Sequence, residues 1–145
     1  LSAVRNVGEG LVELIVRDTC RLRPGVPGLS ETVRVVSIVG RFLEHGRIYY
    51  FRNDLAHDVY LASADWMSRN LFRRIEVAFP VLDKALKRRV IAEGLNPYLK
   101  DNSNAWELEP GGQYQRRRAR SKQAGFSAQD YLMKLLGTPT AADSE

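Results

Sequence analysis

Apolar residues in this chain fall in short blocks, punctuated by Gly, Pro, Asp and Asn. Residues 11–16, Leu-Val-Glu-Leu-Ile-Val, form one such run and predict a buried strand. Residues 33–39 and 47–51, rich in Val, Ile and Tyr, predict two more. A fourth strand is expected over 59–62 and a fifth over 74–79, stopped by Pro80, while the polar stretch 53–58 supplies a hairpin turn. Residues 104–108 and 113–117 flank Pro110-Gly111-Gly112 and predict a last hairpin. Two Pro and two Gly within 21–30 make that segment a loop.

Helical spacing appears elsewhere. Asp83 caps a helix over 84–93, with Leu82, Leu86 and Val90 as its apolar stripe and Gly94 as its end. Ser127 with Asp130 is a capping box that opens a helix to Leu136, stopped by Gly137. Its packed face is expected to carry Tyr131, Leu132, Leu135 and Leu136. Residues 1–7 read as the end of a helix stopped by Gly8. Residues 138–145 have little apolar content and read as a loose tail. No repeat or long linker divides the rest, so the expectation is one α/β domain over 1–137, a mixed sheet flanked by helices.

Composition narrows the partners. The 145 residues suffice for a domain with its own core, and 44% hydrophobic with 27% charged residues is ordinary for a globular protein. Lys and Arg number 22 against 17 Asp and Glu, a net charge of +5 that favours an anionic partner: phosphate ester, nucleotide, nucleic acid or polyanion. Cys20 is the only cysteine, which excludes an intrachain disulfide and a thiolate metal site and fits a reducing compartment. No apolar run is long enough to predict a membrane-spanning helix. The opening lacks Met and a signal pattern and reads as a piece of a longer protein.

The chemistry concentrates between Ser37 and Glu76. His45 stands at the head of an apolar strand with Arg47 two residues on, and strand alternation sets the two on one face. Ser63 and Asp65 share a face by the same rule. If the strands pair, His45, Arg47, Ser63 and Asp65 ring one pocket. Imidazole serves phosphoryl transfer as nucleophile or as proton donor. Arg offers two parallel donors to phosphate oxygens and keeps its charge. Arg17 ends the first apolar strand, where α/β sheets bind ligands; Arg41 and Arg23 are further cations. Each residue also has a structural reading. His45 can close a turn before Gly46, and Arg17 can pair with Glu13 or Asp18. Ser63 and Asp65 can hold a turn, with Trp66 packing beneath Asp65. His57 reads as solvated, Glu76 as a partner of Arg69 or Arg73, and Tyr49, Tyr50 and Phe51 as core. The run Arg116, Arg117, Arg118, Arg120 and Lys122 reads as solvated surface or as a track for a polyanion.

The order His-x-basic, then Ser-Ala-Asp-Trp, resembles a phospholipase D-type half-domain, whose motif is His-x-Lys-x4-Asp followed by Gly-Ser-x-Asn-Trp. Arg47 replaces the Lys, Arg52 the Asp, and Ala62 and Asp65 the Gly and Asn. A closer likeness covers nearly the whole chain. Leu-Ile-Val-Arg before Leu-Arg-Pro-Gly, Arg-Phe-Leu-Glu-His, Ser-Ala-Asp-Trp and the terminal Phe-Ser-Ala-Gln-Asp resemble the carboxyl-terminal, phospholipase D-like domain of bacterial polyphosphate kinase, the long-chain synthesising type. Asp18 stands where that family usually has Gly.

The resemblance implies reversible transfer of the terminal phosphate of ATP to inorganic polyphosphate through a phospho-histidine. That histidine and the Mg²⁺ ligands fall in the preceding domains, outside this chain, so no metal ligand is assigned here and the isolated chain is expected to be inactive. The family's ATP-contacting Arg falls on Arg17 and its second active-site His on His45; Arg47 and Ser63 are further candidates for phosphate binding. The implied partners are ATP or ADP, polyphosphate and the preceding domains of the same polypeptide, in a full-length enzyme expected to be a homo-oligomer. A cytoplasmic enzyme is implied, compatible with peripheral membrane association, with no role for nucleic acid. Two rivals stand beside it: a phospholipase D-like phosphodiesterase, which would want the Lys and Asp that Arg47 and Arg52 replace, and a non-catalytic module binding polyanions through the basic run.

Overall fold

The computed structural model describes residues 2–6, 10–53, 56–119 and 124–137. Among them, eight strands form one mixed sheet in the order β6-β5-β4-β1-β2-β3-β7-β8. The strands are β1 Ser2–Asn6, β2 Val12–Val16, β3 Val33–Ile38, β4 Arg47–Asn53, β5 Ala56–Ala62, β6 Ala78–Pro80, β7 Ala105–Leu108 and β8 Tyr114–Arg116. The helices are α1 Ser68–Arg73, α2 Lys84–Val90, α3 Asn96–Lys100 and α4 Ala128–Leu136. This is the α/β architecture expected, a mixed sheet with helices packed on it.

Alternation along each strand separates two apolar clusters. Ile15, Val36, Ile38, Ile48, Tyr50 and Val59 join Leu95, Tyr98 and Ala128 in the larger one, with Val90 and Leu132 packed alongside, so α2, α3 and α4 lie on that side. Leu14, Val35 and Leu108 form a smaller cluster with Val12, Val16, Cys20 and Tyr49. The loop over 21–30 is present as expected; the Cys20 N–H just ahead of it donates to Tyr114 Oη at 2.8 Å.

Several sequence expectations need correction. Residues 2–6 are not the end of a helix: they form β1, parallel to β4 and antiparallel to β2. Hydrogen bonding from strands on both sides overrides the local helical signal. Asn53 and Ala56 are paired strand residues, so the hairpin's turn is shorter than 53–58. Residues 74–77 are not strand, and a short helix precedes them at Ser68–Arg73. Pro80, expected to stop the fifth strand, is its last residue; β6 lies at the sheet's edge, where a missing N–H is tolerated.

Gly94 does not end the helix capped by Asp83. A π-helical turn, Ile91–Leu95, carries the chain from α2 into α3, which has Pro97 in its first turn. A Cβ at Gly94 would overlap Ile48 Cδ1, so the glycine lets helix approach β4. The cap itself is as expected: Asp83 accepts from Leu86 N at 2.8 Å. Leu82 and Leu86 are exposed, and from that stripe only Val90 packs against the core. On α4, Ser127 accepts from Asp130 N and Gly137 caps the end, as expected. Its buried face, however, is Ala128 and Gln129 with Leu132 packed alongside; Tyr131, Leu135 and Leu136 are exposed. Phe51 is likewise exposed, while Tyr50 is core. The tail at 138–145, Arg120 and Lys122 lie outside the described residues.

Candidate functional site

Strand direction assembles the site. β2, β3 and β5 run one way, and β1 and β4 the other. The carboxyl ends of β2, β3 and β5 therefore meet the amino end of β4 at one edge of the sheet. Arg17 follows β2, His45 lies just ahead of β4, and Ser63 and Asp65 follow β5. Between β3 and β4 the order is β4-β1-β2-β3, so residues 39–46 must cross the ends of β2 and β1. Three strand spacings of about 4.8 Å are within easy reach of that loop.

Arg17 is half-buried and lines a narrow cleft with Ile38, Phe42, Glu44, Tyr98 and Gln129, on the helix-bearing side. His45 follows Glu44 in the loop and is exposed; it does not line the cleft. No hydrogen bond or ion pair engages Arg17 or His45 among the described residues. Glu44 accepts from the Tyr98 hydroxyl with one oxygen and from Gln129 Nε2 with the other, at 2.6 Å. Burial and the Glu44 carboxylate push the Tyr98 hydroxyl well above the ordinary phenol range.

Arg47 has a different fate. It is buried, and its Nε donates to Asp65 Oδ1 at 2.7 Å, with Nη2 on the same oxygen and Nη1 on Gly46 O at 2.9 Å. Alternation sends it to the side of Tyr49, away from Arg17's cleft. The structure thus brings Arg47 and Asp65 together, as the spacing suggested, but as an ion pair holding the turn after β5 to the start of β4. Ser63 turns elsewhere: its hydroxyl donates to Glu76 Oε2 at 2.5 Å and accepts from Val77 N at 3.1 Å. Glu76 does not pair with Arg69 or Arg73; Ser63 and Asn70 donate to it and hold its carboxyl below the usual carboxylate range. A ring of His45, Arg47, Ser63 and Asp65 around one pocket is therefore not formed. The strands β4 and β5 do pair, but β4 begins at Arg47, so strand alternation does not reach His45, and Arg47 and Ser63 engage different carboxylates.

Trp66 is exposed rather than packed beneath Asp65; it stacks on Tyr49 and donates Nε1–H to that residue's hydroxyl at 2.8 Å. His57 is exposed, and its Nδ1 lies 2.6 Å from Tyr50 Oη. In the basic run, Arg117 is a structural tie to Glu107, Leu99 O and Asp101 O, and Arg116 donates to Ser103 O. Reading the sequence missed Phe42, Tyr98 and Gln129 as neighbours of Arg17; the only signal was that Phe42 and Gln129 fall within the blocks that carried the resemblance.

The polyphosphate kinase C-terminal domain 2 model matches residues 5–129. The chain belongs to that family. It is 64% identical over 121 residues to a polyphosphate kinase of Burkholderia lata, covering 81% of this chain and 18% of that protein. A polyphosphate kinase of Paraburkholderia phytofirmans is 56% identical over 126 residues, covering 87% of this chain and 18% of that protein. The crystal structure of polyphosphate kinase from Porphyromonas gingivalis superposes with a TM-score of 0.78 at 38% identity, over 86% of this chain and 19% of that one. The chain thus spans less than a fifth of the length of each of these relatives. In this C-terminal domain, no three His, Cys, Asp or Glu side chains gather as a metal site among the described residues, and no helix there is long and apolar enough to cross a membrane.

Proposed function

We propose that this chain is the ATP- and polyphosphate-facing carboxyl-terminal domain of a full-length polyphosphate kinase. In that enzyme the terminal phosphate of ATP passes reversibly to inorganic polyphosphate through a phospho-histidine on another domain. The observation that carries the reading is the sheet end where Arg17, with no hydrogen bond or ion pair among the described residues, and the loop bearing exposed His45 come together. Arg17 presents two parallel donors to phosphate oxygens from a half-buried position, where a charge-assisted bond is stronger than in bulk water. His45 faces outward, toward a phosphoryl group brought by the neighbouring domain, as hydrogen-bond donor or proton shuttle. Arg47 serves this reading by anchoring the first residue of β4 after His45, its charge already matched by Asp65. The net positive charge draws polyanions toward the surface.

The division of labour leaves the isolated chain without a nucleophile and without turnover. Arg17→Ala in the full-length enzyme tests the reading directly. Loss of a charge-assisted pair worth about 1.5–3 kcal/mol should raise the KM for ATP by roughly ten- to a hundredfold. An unchanged KM removes Arg17 from the ATP site.

A further inference from the structure

The loop that carries His45 is held from two helices. Gln129, in the first turn of α4, is only 6% exposed. Its Oε1 accepts from Phe42 N at 2.9 Å, and its Nε2 donates to Phe42 O at 3.0 Å, as a neighbouring strand would. The same Nε2 donates to Glu44 Oε1 at 2.6 Å. Every hydrogen of that amide and its acceptor are thus committed to this one loop. Tyr98 of α3 takes the other Glu44 oxygen. A Cβ on Gly40 would overlap the Gln129 amide, so the loop closes directly on it. Phe42, Glu44, Tyr98 and Gln129 line the cleft that also holds Arg17. Val39 N still donates to Asn104 O at 3.0 Å, but from Gly40 to Gly46 the loop has no ladder partner among the described residues, so these bonds stand in for one.

We propose that Gln129 is a positioning residue: it fixes residues 42 and 44 against the Arg17 cleft and thereby sets where His45 stands during phosphoryl transfer. This rests on the reading of Arg17 and His45 given above. Gln129 acts through the loop, because its amide oxygen and both amide hydrogens are already bonded to residues 42 and 44. Its removal should slow transfer and leave ATP affinity nearly intact, because Arg17 is held at the end of β2. The charged and titratable groups facing it in the cleft are Arg17 from the end of β2, Glu44 from the loop and Tyr98 from α3.

The test uses the full-length enzyme with Gln129→Ala, Gln129→Glu and His45→Ala compared side by side. Gln129→Ala deletes all three bonds. Its kcat should fall by up to about a hundredfold, the cost of an ångström-scale misplacement, with little change in the KM for ATP. Gln129→Glu keeps the shape but sets a carboxylate against the Glu44 carboxylate and Phe42 O. On acidification the new carboxyl gains a proton, and the like-charge clash gives way to a hydrogen bond. The kcat of Gln129→Glu relative to wild type should therefore rise as pH falls, whereas the relative kcat of Gln129→Ala should stay flat. Thermal melts accompany each variant. If Gln129→Ala does not fold, the pH comparison on Gln129→Glu decides alone. An undiminished kcat in folded Gln129→Ala, or a pH-independent ratio in Gln129→Glu, overturns the proposal. Undiminished turnover in His45→Ala instead overturns the reading of His45, and the proposal with it.

Discussion

Two arginines at the same sheet edge behave differently because of what stands beside them. Arg17 has no carboxylate bonded to it among the described residues, whereas Arg47 is buried with Asp65 bonded to two of its nitrogens. Asp65→Ala takes the carboxylate from two nitrogens of a guanidinium that is only 8% exposed. Stability should fall by about 1–3 kcal/mol, read as a lower urea midpoint with an unchanged slope. An unmoved midpoint would mean that water already solvates Arg47. The chemistry of these residue types was legible in the sequence: cations, imidazole and a strand end. Their grouping was not. Which residue opens β4 is settled by pairing with β1 and β5, and that choice separates His45 from the alternation governing Arg47. Gln129 was hidden for a related reason: it lies 84 positions from His45 in the chain, and only the packing of α4 brings it to the loop.

At the scale of elements, apolar blocks with turn residues at both ends were read correctly, as β2, β3, β4 and the β7–β8 hairpin show. Caps with a side-chain acceptor were read as well, at Asp83 and Ser127. What misled was glycine. Gly94 has the sequence look of a helix stop, yet its role is closeness to Ile48 across the helix–sheet contact. Propensity favours Ala over Gly by up to about 1 kcal/mol within a helix. Overpacking a filled core costs about 1–3 kcal/mol, so Gly94→Ala should be net destabilising. Ile48→Val removes the methyl that the new Cβ would meet. Gly94→Ala should therefore cost less in the Ile48→Val background than alone, by a double-mutant cycle on unfolding free energy. Additive effects would show that the close approach does not constrain the helix.

Across the whole molecule, α2, α3 and α4 gather on one side of the sheet, and the crossing of strand directions leaves the Arg17 and His45 segments at a common end. That end was foreseeable only in part. The rule that ligands meet strand carboxyl ends pointed to Arg17. The insertion of β1 between β2 and β4 sets the spacing of Arg17 from His45, and the local sequence of residues 2–6 carries a helical signal instead. In the proposed function this end of the sheet handles the phosphates of ATP, with His45 acting on the group in transit. The most direct measurement is ATP-dependent polyphosphate synthesis by the full-length enzyme carrying His45→Ala, with ATP binding measured in parallel. ATP should still bind, more weakly than to wild type, while phosphate transfer collapses. Wild-type turnover in that variant would contradict it.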